Sequence, residues 1–286
     1  MNDKPIKLIE CPRDAMQGWP YLIPTQKKIE YINALLKVGF DTIDFGSFVS
    51  PKAIPQMADT KEVLSGLNLH QTQSKLLSIV ANTRGAEEAV TYDEISCLGF
   101  PFSISETFQK RNTNASINEA LVTVNHIHQL CVQKRKKLVL YLSMAFGNPY
   151  GDDYNEEIVY QWISRLQDSG IDLISLADTV GLATAEQVEK LVSLVKNNFP
   201  HIEFGVHLHS TPEDCIFKVD AALKAGCVRF DGALKGFGGC PMAGNQLVGN
   251  IDTEIMIEHF TQLKLLKEMD RKALQNSIQL ASEIFI

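Results

Sequence analysis

The chain has 286 residues, 45% of them hydrophobic and 21% charged, with a formal net charge of -7. A chain of this length buries an ample core without disulfides or a structural metal, and an acidic balance with no basic stripe or tail argues against a nucleic-acid partner. Six cysteines, at 11, 97, 131, 215, 227 and 240, form no close CxxC pair. They read as a reduced, cytoplasmic set rather than a disulfide framework, and neither a signal peptide nor an apolar run of the ~18 residues a membrane span needs is expected.

Short apolar runs of β type alternate with helical patterns along the whole sequence. The first strand is expected over residues 7–11, ending at Pro12-Arg13-Asp14, and the first helix over 25–38, opened by Pro24-Thr25 and stopped by Gly39. A strand at 42–48 precedes an irregular stretch and a helix within 51–64. A strand at 75–82 precedes a short helix at 86–92, and a strand at 94–101 precedes a long helix at 117–135. The run Lys134-Arg135-Lys136-Lys137 reads as a solvated helix end. Strand 138–145 leads to helix 156–168, closed by Ser169-Gly170. Strand 173–178 leads to helix 184–198, where Thr184 and Gln187 have capping-box spacing. Strand 203–209 leads to helix 213–225, and strand 227–234 to a Gly-rich loop, a helix at 253–263 and a C-terminal helix from about 271.

About eight strand–helix units in a chain of this length predict a single (β/α)₈ TIM barrel over 1–286 with an extra C-terminal helix. The strands read as continuous apolar runs, as expected when both faces are buried. No GxGxxG follows the first strand, which weakens a dinucleotide-binding reading.

In such a barrel the chemistry sits at the C-terminal ends of the strands. His207 and His209 end the seventh strand at i and i+2 spacing and share one face. His126 and His128 have the same spacing in a helix, where such residues do not face each other. Capping of the following helix accounts well for Asn82, Thr179 and Ser210. It accounts poorly for Arg13 and Asp14, because the next helix is not expected until about Pro24. Asp14, His207, His209 and Asn250 make up the expected metal set. Oxygen and nitrogen donors with no thiolate suit Mg²⁺ or Mn²⁺, with open positions for two substrate oxygens. Residues 236–241, Gly-Phe-Gly-Gly-Cys-Pro, read as a loop that closes over substrate carrying Cys240.

These residues in this order resemble the 3-hydroxy-3-methylglutaryl-CoA lyase family over almost the whole chain. Pro12-Arg13-Asp14 with Gln17 is similar to the family's opening motif. Ser47-Phe48-Val49-Ser50-Pro51-Lys52 with Pro55-Gln56-Met57-Ala58-Asp59 is similar to its second-strand segment. Phe108-Gln109-Lys110-Arg111-Asn112, Asp178-Thr179-Val180-Gly181, His207-Leu208-His209 and Gly238-Gly239-Cys240-Pro241 complete the series. The resemblance implies retro-Claisen cleavage of 3-hydroxy-3-methylglutaryl-CoA to acetyl-CoA and acetoacetate, an acyl-CoA substrate and a homodimer. It implies that Asp14, His207, His209 and Asn250 hold the metal and that Arg13 stabilises the enolate. Asp44 stands where the family has a glutamate supporting the arginine, Cys240 matches the loop cysteine, and Asp178 and Glu254 match further acidic positions. Gln17, Ser47 and Thr179 are expected toward the substrate. The enolate is protonated by Cys240 or a water at the metal, and Asp44 or His207 takes the first proton. Departures from the family pattern at Ala15, Gly18, Asp44, Ser210, Phe237 and Met242 gather around the acyl pocket and loop and leave the metal set intact. A related lyase or aldolase for a different acyl group, and a barrel that binds acyl-CoA without turnover, are the alternative readings.

Overall fold

Eight apolar runs form eight parallel strands that pair in sequence order and close on themselves: β1 (Lys7–Glu10), β2 (Thr42–Ser47), β3 (Lys75–Ile79), β4 (Ile95–Ser103), β5 (Lys137–Ser143), β6 (Leu173–Asp178), β7 (Glu203–Leu208) and β8 (Arg229–Gly232). The structure, a computed structural model, describes residues 5–239 and 248–286. β8 returns to β1 in register Leu8↔Phe230 and Glu10↔Gly232, so the barrel has no free edge.

The helices are α1 (Pro12–Gln17), α2 (Thr25–Leu35), α3 (Thr60–Ser65), α4 (Thr83–Ala89), α5 (Glu106–Thr113), α6 (Ile117–Gln133), α7 (Glu156–Asp168), α8 (Ala185–Asn198), α9 (Cys215–Lys224), α10 (Thr253–Gln262) and α11 (Arg271–Ile284). Each main helix buries one stripe; α8 buries Val188, Leu191, Val192 and Val195. Thr184 and Gln187 form the expected capping box, and Ser116 with Glu119 forms a second at the start of α6. Gly170 takes φ +86 where α7 stops. α11 folds back on α2 within the same chain, and Phe285 at its end meets Trp19, Tyr31 and Phe237. No described helix is long and apolar enough to cross a membrane.

The structure corrects several expectations. The stretch after β1 is not a loop to Pro24 but a short helix, α1, entered through Pro12. β4 runs on to Ser103, and α5 follows, capped by Ser105 and ended by Asn114 in a left-handed conformation. α2 ends at Leu35, and tighter i→i+3 bonds carry the chain to Val38 before Gly39 turns it at φ +100. Asn82 caps α4 by accepting from Gly85 N–H. Thr179 caps no helix; its hydroxyl accepts from Met144 N–H at 3.0 Å. Ser210 is no cap either, because α9 starts five residues later. Lys136 is more than a solvated helix end: its ammonium donates to the Tyr92 and Ile95 carbonyls and ties down the approach to β4.

The barrel interior is divided. On the β3–β6 side it is lined by Leu77, Ile79, Cys97, Val139, Tyr141 and Leu173, with Val49 packed against them. On the β7–β8–β1–β2 side it carries His207, Asp231, Arg229, Cys11 and Asp44, all buried or nearly so.

Candidate metal and acyl-binding site

The carboxyl ends of β1, β7 and β8 converge on one point. β7 delivers His207, and His209 follows it one step beyond the strand; the two rings are 5.1 Å apart at 71°. The return of the chain at Asn250 pairs with His209, with Ser210 N–H on the Gly249 carbonyl and Ile251 N–H on that of Leu208. Only Cys11 separates β1 from α1, which presents Arg13, Asp14 and Gln17 to the cavity at the barrel mouth. Ligand atoms of Asp14, His207 and His209 therefore lie within 4.8 Å of one another.

The hydrogen bonds leave one nitrogen of each histidine free for a cation. His207 Nδ1 faces Asp231 Oδ2 at 3.3 Å, and His209 Nδ1 faces the Val248 carbonyl at 3.0 Å. Each acceptor fixes the proton on Nδ1 and leaves Nε2 with its lone pair. Burial and the neighbouring His207 push His209 down to about 4, so that ring is neutral. Burial would also lower His207, but the Asp231 contact and Asp14 outweigh it and raise its pKa. Asp14 sits at about 2: burial opposes ionisation, and Arg13 and the two histidines overcome it. Asn250 gives its Nδ2 protons to Asp14 Oδ2 at 2.7 Å and the Phe237 carbonyl at 2.8 Å, while its buried Oδ1 has no partner. A buried, unpaired carbonyl oxygen next to a carboxylate and two imidazoles fits a divalent ion with oxygen and nitrogen ligands. A second group, Cys11, His207 and Asp231, is equally close. There burial and the surrounding carboxylates hold the thiol far above its usual range, so it offers no thiolate.

Arg13 lies beside this cluster. Its Nη1 donates to Asp14 Oδ1 at 2.9 Å, and Nε and Nη2 both donate to Asp44 Oδ2 at 2.9 and 2.5 Å. Burial holds the Asp44 carboxyl up at about 6 although two Arg13 N–H groups point at it, and its Oδ1 has no partner. A cavity of about 440 Å³ opens at the same end of the barrel. Arg13, Asp14, Gln17, Ser47, Thr179, His207 and His209 line it, as does the apolar wall of Val49, Ile79, Pro101, Tyr141 and Ala177. Gln17 also donates to Asp14 Oδ1 at 2.8 Å.

The structure thus brings most of the expected site together. Asp44 stands behind Arg13 rather than on the cavity wall, so it positions the guanidinium. Asp178 is engaged elsewhere: it accepts from Leu182 and Ala183 N–H and from Lys218, which also donates to the His209 carbonyl at 2.9 Å. Asp44 thus faces the Arg13 guanidinium, and Asp178 faces Lys218 and two backbone N–H groups. Glu254 lies in the first turn of α10. Cys240 and Met242 lie outside the described residues. His126 and His128 point to unrelated places on α6, one 3.7 Å from Glu87 and the other against Gly170. Sequence reading missed Asp231 and Lys218. The alternation of β8, which sets Arg229 and Asp231 on the same face as the barrel interior, was a signal for the first.

A family model described as HMGL-like matches residues 6–280. A hydroxymethylglutaryl-CoA lyase of Bacillus subtilis is 33% identical over 254 residues, 89% of this chain and 84% of that protein. A 3-hydroxy-3-isohexenylglutaryl-CoA/hydroxy-methylglutaryl-CoA lyase of Pseudomonas aeruginosa is 31% identical over 278 residues, 96% of this chain and 91% of that one. A solved HMG-CoA lyase of Acinetobacter baumannii, in complex with coenzyme A and 3-methylmalate, superposes with a TM-score of 0.90 at 32% identity, covering 98% of this chain and 91% of that one. The barrel, the mouth cluster and these likenesses agree: the chain belongs to the HMGL-like family of 3-hydroxy-3-methylglutaryl-CoA lyases.

Proposed function

We propose that this chain is a carbon–carbon lyase that cleaves 3-hydroxy-3-methylglutaryl-CoA to acetyl-CoA and acetoacetate, with Mg²⁺ or Mn²⁺ held by Asp14, His207, His209 and Asn250. The observation that carries the reading is the junction of two features. Three ligand groups lie within 4.8 Å beside an unpaired buried Asn250 Oδ1, and a guanidinium stands next to them on the wall of the cavity. A bound divalent cation supplies Lewis-acid polarisation of the substrate's hydroxyl and carboxylate oxygens.

The chain's own residues account for the rest. The C3 hydroxyl proton passes to a water in the open cavity, the C2–C3 bond breaks, C3 becomes the ketone of acetoacetate, and the electron pair moves onto the thioester as an enolate. Arg13, held by Asp44 from behind, places positive charge where the enolate oxygen forms. One such preorganised donor is worth about 3–4 kcal/mol. Cys240 returns a proton to the enolate carbon. With Nδ1 given to Asp231, His207 keeps a single nitrogen, which the ligand role uses. A homodimer in a reducing, cytoplasmic setting is part of the same reading; the five described cysteines, all free, support the setting.

A second reading has a specific observation behind it. The cavity's apolar wall of Val49, Ile79, Pro101, Tyr141 and Ala177 suits an alkyl group at C3 longer than methyl, as in the name of the Pseudomonas aeruginosa relative. Acetyl-CoA release should be compared for the 3-methyl and the 3-isohexenyl substrates with Mn²⁺ supplied. A higher kcat/KM on the methyl compound supports the first reading, and the reverse order the second. No acetyl-CoA from either rejects both.

A further inference from the structure

Beneath the metal cluster the barrel holds a second polar layer that the reaction as described does not use. Strand register aligns Tyr141 with Ser175, Ser175 with Gly205, and Gly205 with Arg229 across four neighbouring strands. One inward step nearer the mouth, Ala177 aligns with His207 and His207 with Asp231. Arg229 is therefore an interior residue, 3% exposed, lying one layer below the histidine.

Its placement depends on a missing side chain. A Cβ built on Gly205 would come within 2.9 Å of Arg229 Cγ and Cδ, so the arginine stem occupies the space that a side chain on β7 would fill. Its guanidinium lies 4.0 Å through Nε from Asp231 Oδ1. Arg229 Nε, Arg229 Nη2 and Asp231 Oδ1 are all buried without a hydrogen-bond partner. The competing carboxylates at the barrel floor are engaged elsewhere, Glu203 by Lys7 at 2.6 Å and Asp41 by Lys75 at 3.3 Å and the Thr42 hydroxyl. Asp231 is thus the carboxylate left to Arg229, and its other oxygen faces His207 Nδ1.

We propose that Arg229 is a positioning residue for the metal site: across the gap at Gly205 it fixes the buried carboxylate of Asp231, and Asp231 fixes the ring of His207. A carboxylate behind a ligating histidine sets the ring's tautomer and direction, and its removal typically costs 10–100-fold in metal affinity. A carboxylate with one oxygen on the imidazole and no charge facing the other is free to turn about its own axis. Arg229 opposes that rotation, and Tyr141, edge-on to His207 with centroids 5.7 Å apart at 82°, packs the ring from the other side. This inference rests on the reading of His207 as a metal ligand.

The test is Mn²⁺ binding to metal-stripped protein, read from the free Mn²⁺ paramagnetic signal. The variants are Arg229→Met, Asp231→Asn and the pair together. The expected result is a rise of about 10-fold in Kd for Arg229→Met with a cooperative thermal transition retained. In the Asp231→Asn background, Arg229→Met should cost nothing further, because the residue acts through that carboxylate. Gly205→Ala, which drives the stem out of its place without changing any charge, should reproduce the loss and carries the test if Arg229→Met does not fold. Unchanged Mn²⁺ affinity in folded Arg229→Met or Gly205→Ala, or a loss that persists undiminished with Asp231→Asn, would overturn the proposal. Wild-type protein that bound no Mn²⁺ would instead refute the metal-site reading beneath it.

Discussion

Glu10 offers a stability test whose sign and size both come from the structure. It is fully buried on β1, on the face opposite Ile9 and Cys11. Its Oε1 accepts from Leu234 N–H at 2.9 Å and its Oε2 from the Thr253 hydroxyl at 2.6 Å, so one carboxyl ties β1 to both ends of the loop that returns at Asn250. Burial pushes its pKa up from 4.5 to about 8; the two hydrogen bonds pull against this, and Asp252 and Glu254 add to the rise. The folded chain then keeps a proton that the unfolded chain has released. That contribution is fully present below pH 4.5 and is lost as pH rises through 8. Over the full window of 3.5 units (8 − 4.5) the loss is at most about 5 kcal/mol, and about 2–3 kcal/mol of it falls between pH 6 and 8. Glu10→Gln copies the protonated acid, with an oxygen for Leu234 and an N–H for Thr253, and has no proton to lose. Melting of metal-stripped wild type and Glu10→Gln at pH 6, 7 and 8 should therefore diverge. The variant should gain on the order of 5 °C relative to wild type across that range. Parallel curves would refute the account of Glu10 as a buried acid held neutral.

Other perturbations follow the same logic. Arg13→Lys keeps the charge but loses the fork that meets Asp14 and Asp44. Its kcat should fall on the order of 10²-fold at saturating Mn²⁺, and near-normal turnover would remove Arg13 from the enolate site. Lys218→Met leaves the buried Asp178 carboxylate with only the Leu182 and Ala183 N–H groups and should destabilise by about 3–5 kcal/mol; a loss below about 1 kcal/mol in denaturant unfolding would mean the ion pair does not hold this corner. Gly85→Ala would put a Cβ 2.2 Å from the Phe48 carbonyl oxygen. It should lower stability by about 1–3 kcal/mol as α4 backs away from β2, and an unchanged melting temperature would contradict that close approach.

The barrel was legible in the sequence because a parallel strand buried on both faces shows as an unbroken apolar run, such as Leu138-Val139-Leu140-Tyr141-Leu142. The clustering of Asp14, His207 and His209 was legible because i, i+2 histidines on a strand share a face, and Asp14 follows a strand end. Elements with little apolar periodicity were hidden. α1 and α5 have six and eight residues and owe their form to Pro12 at an N-terminus and to the Ser105 cap. Ser210 looked like a cap only because the start of α9 was placed too early. Arg229 and Asp231 stayed out of view for another reason. Their alternation on β8 marks an inward face, but the room for an arginine comes from Gly205 on the neighbouring strand, a contact that only the register of the closed sheet creates. The roles of Asp44 and Asp178 likewise turned on which partners their carboxylates had already engaged.

The measurement that bears most directly on the central claim is acetyl-CoA release from 3-hydroxy-3-methylglutaryl-CoA by metal-stripped protein, with and without added Mg²⁺ or Mn²⁺, for wild type and His207→Ala. The account predicts release by wild type only when the cation is supplied, and none by His207→Ala at the same cation concentration. Equal release by stripped wild type with and without the cation, or cation-dependent release that survives in His207→Ala, would contradict it.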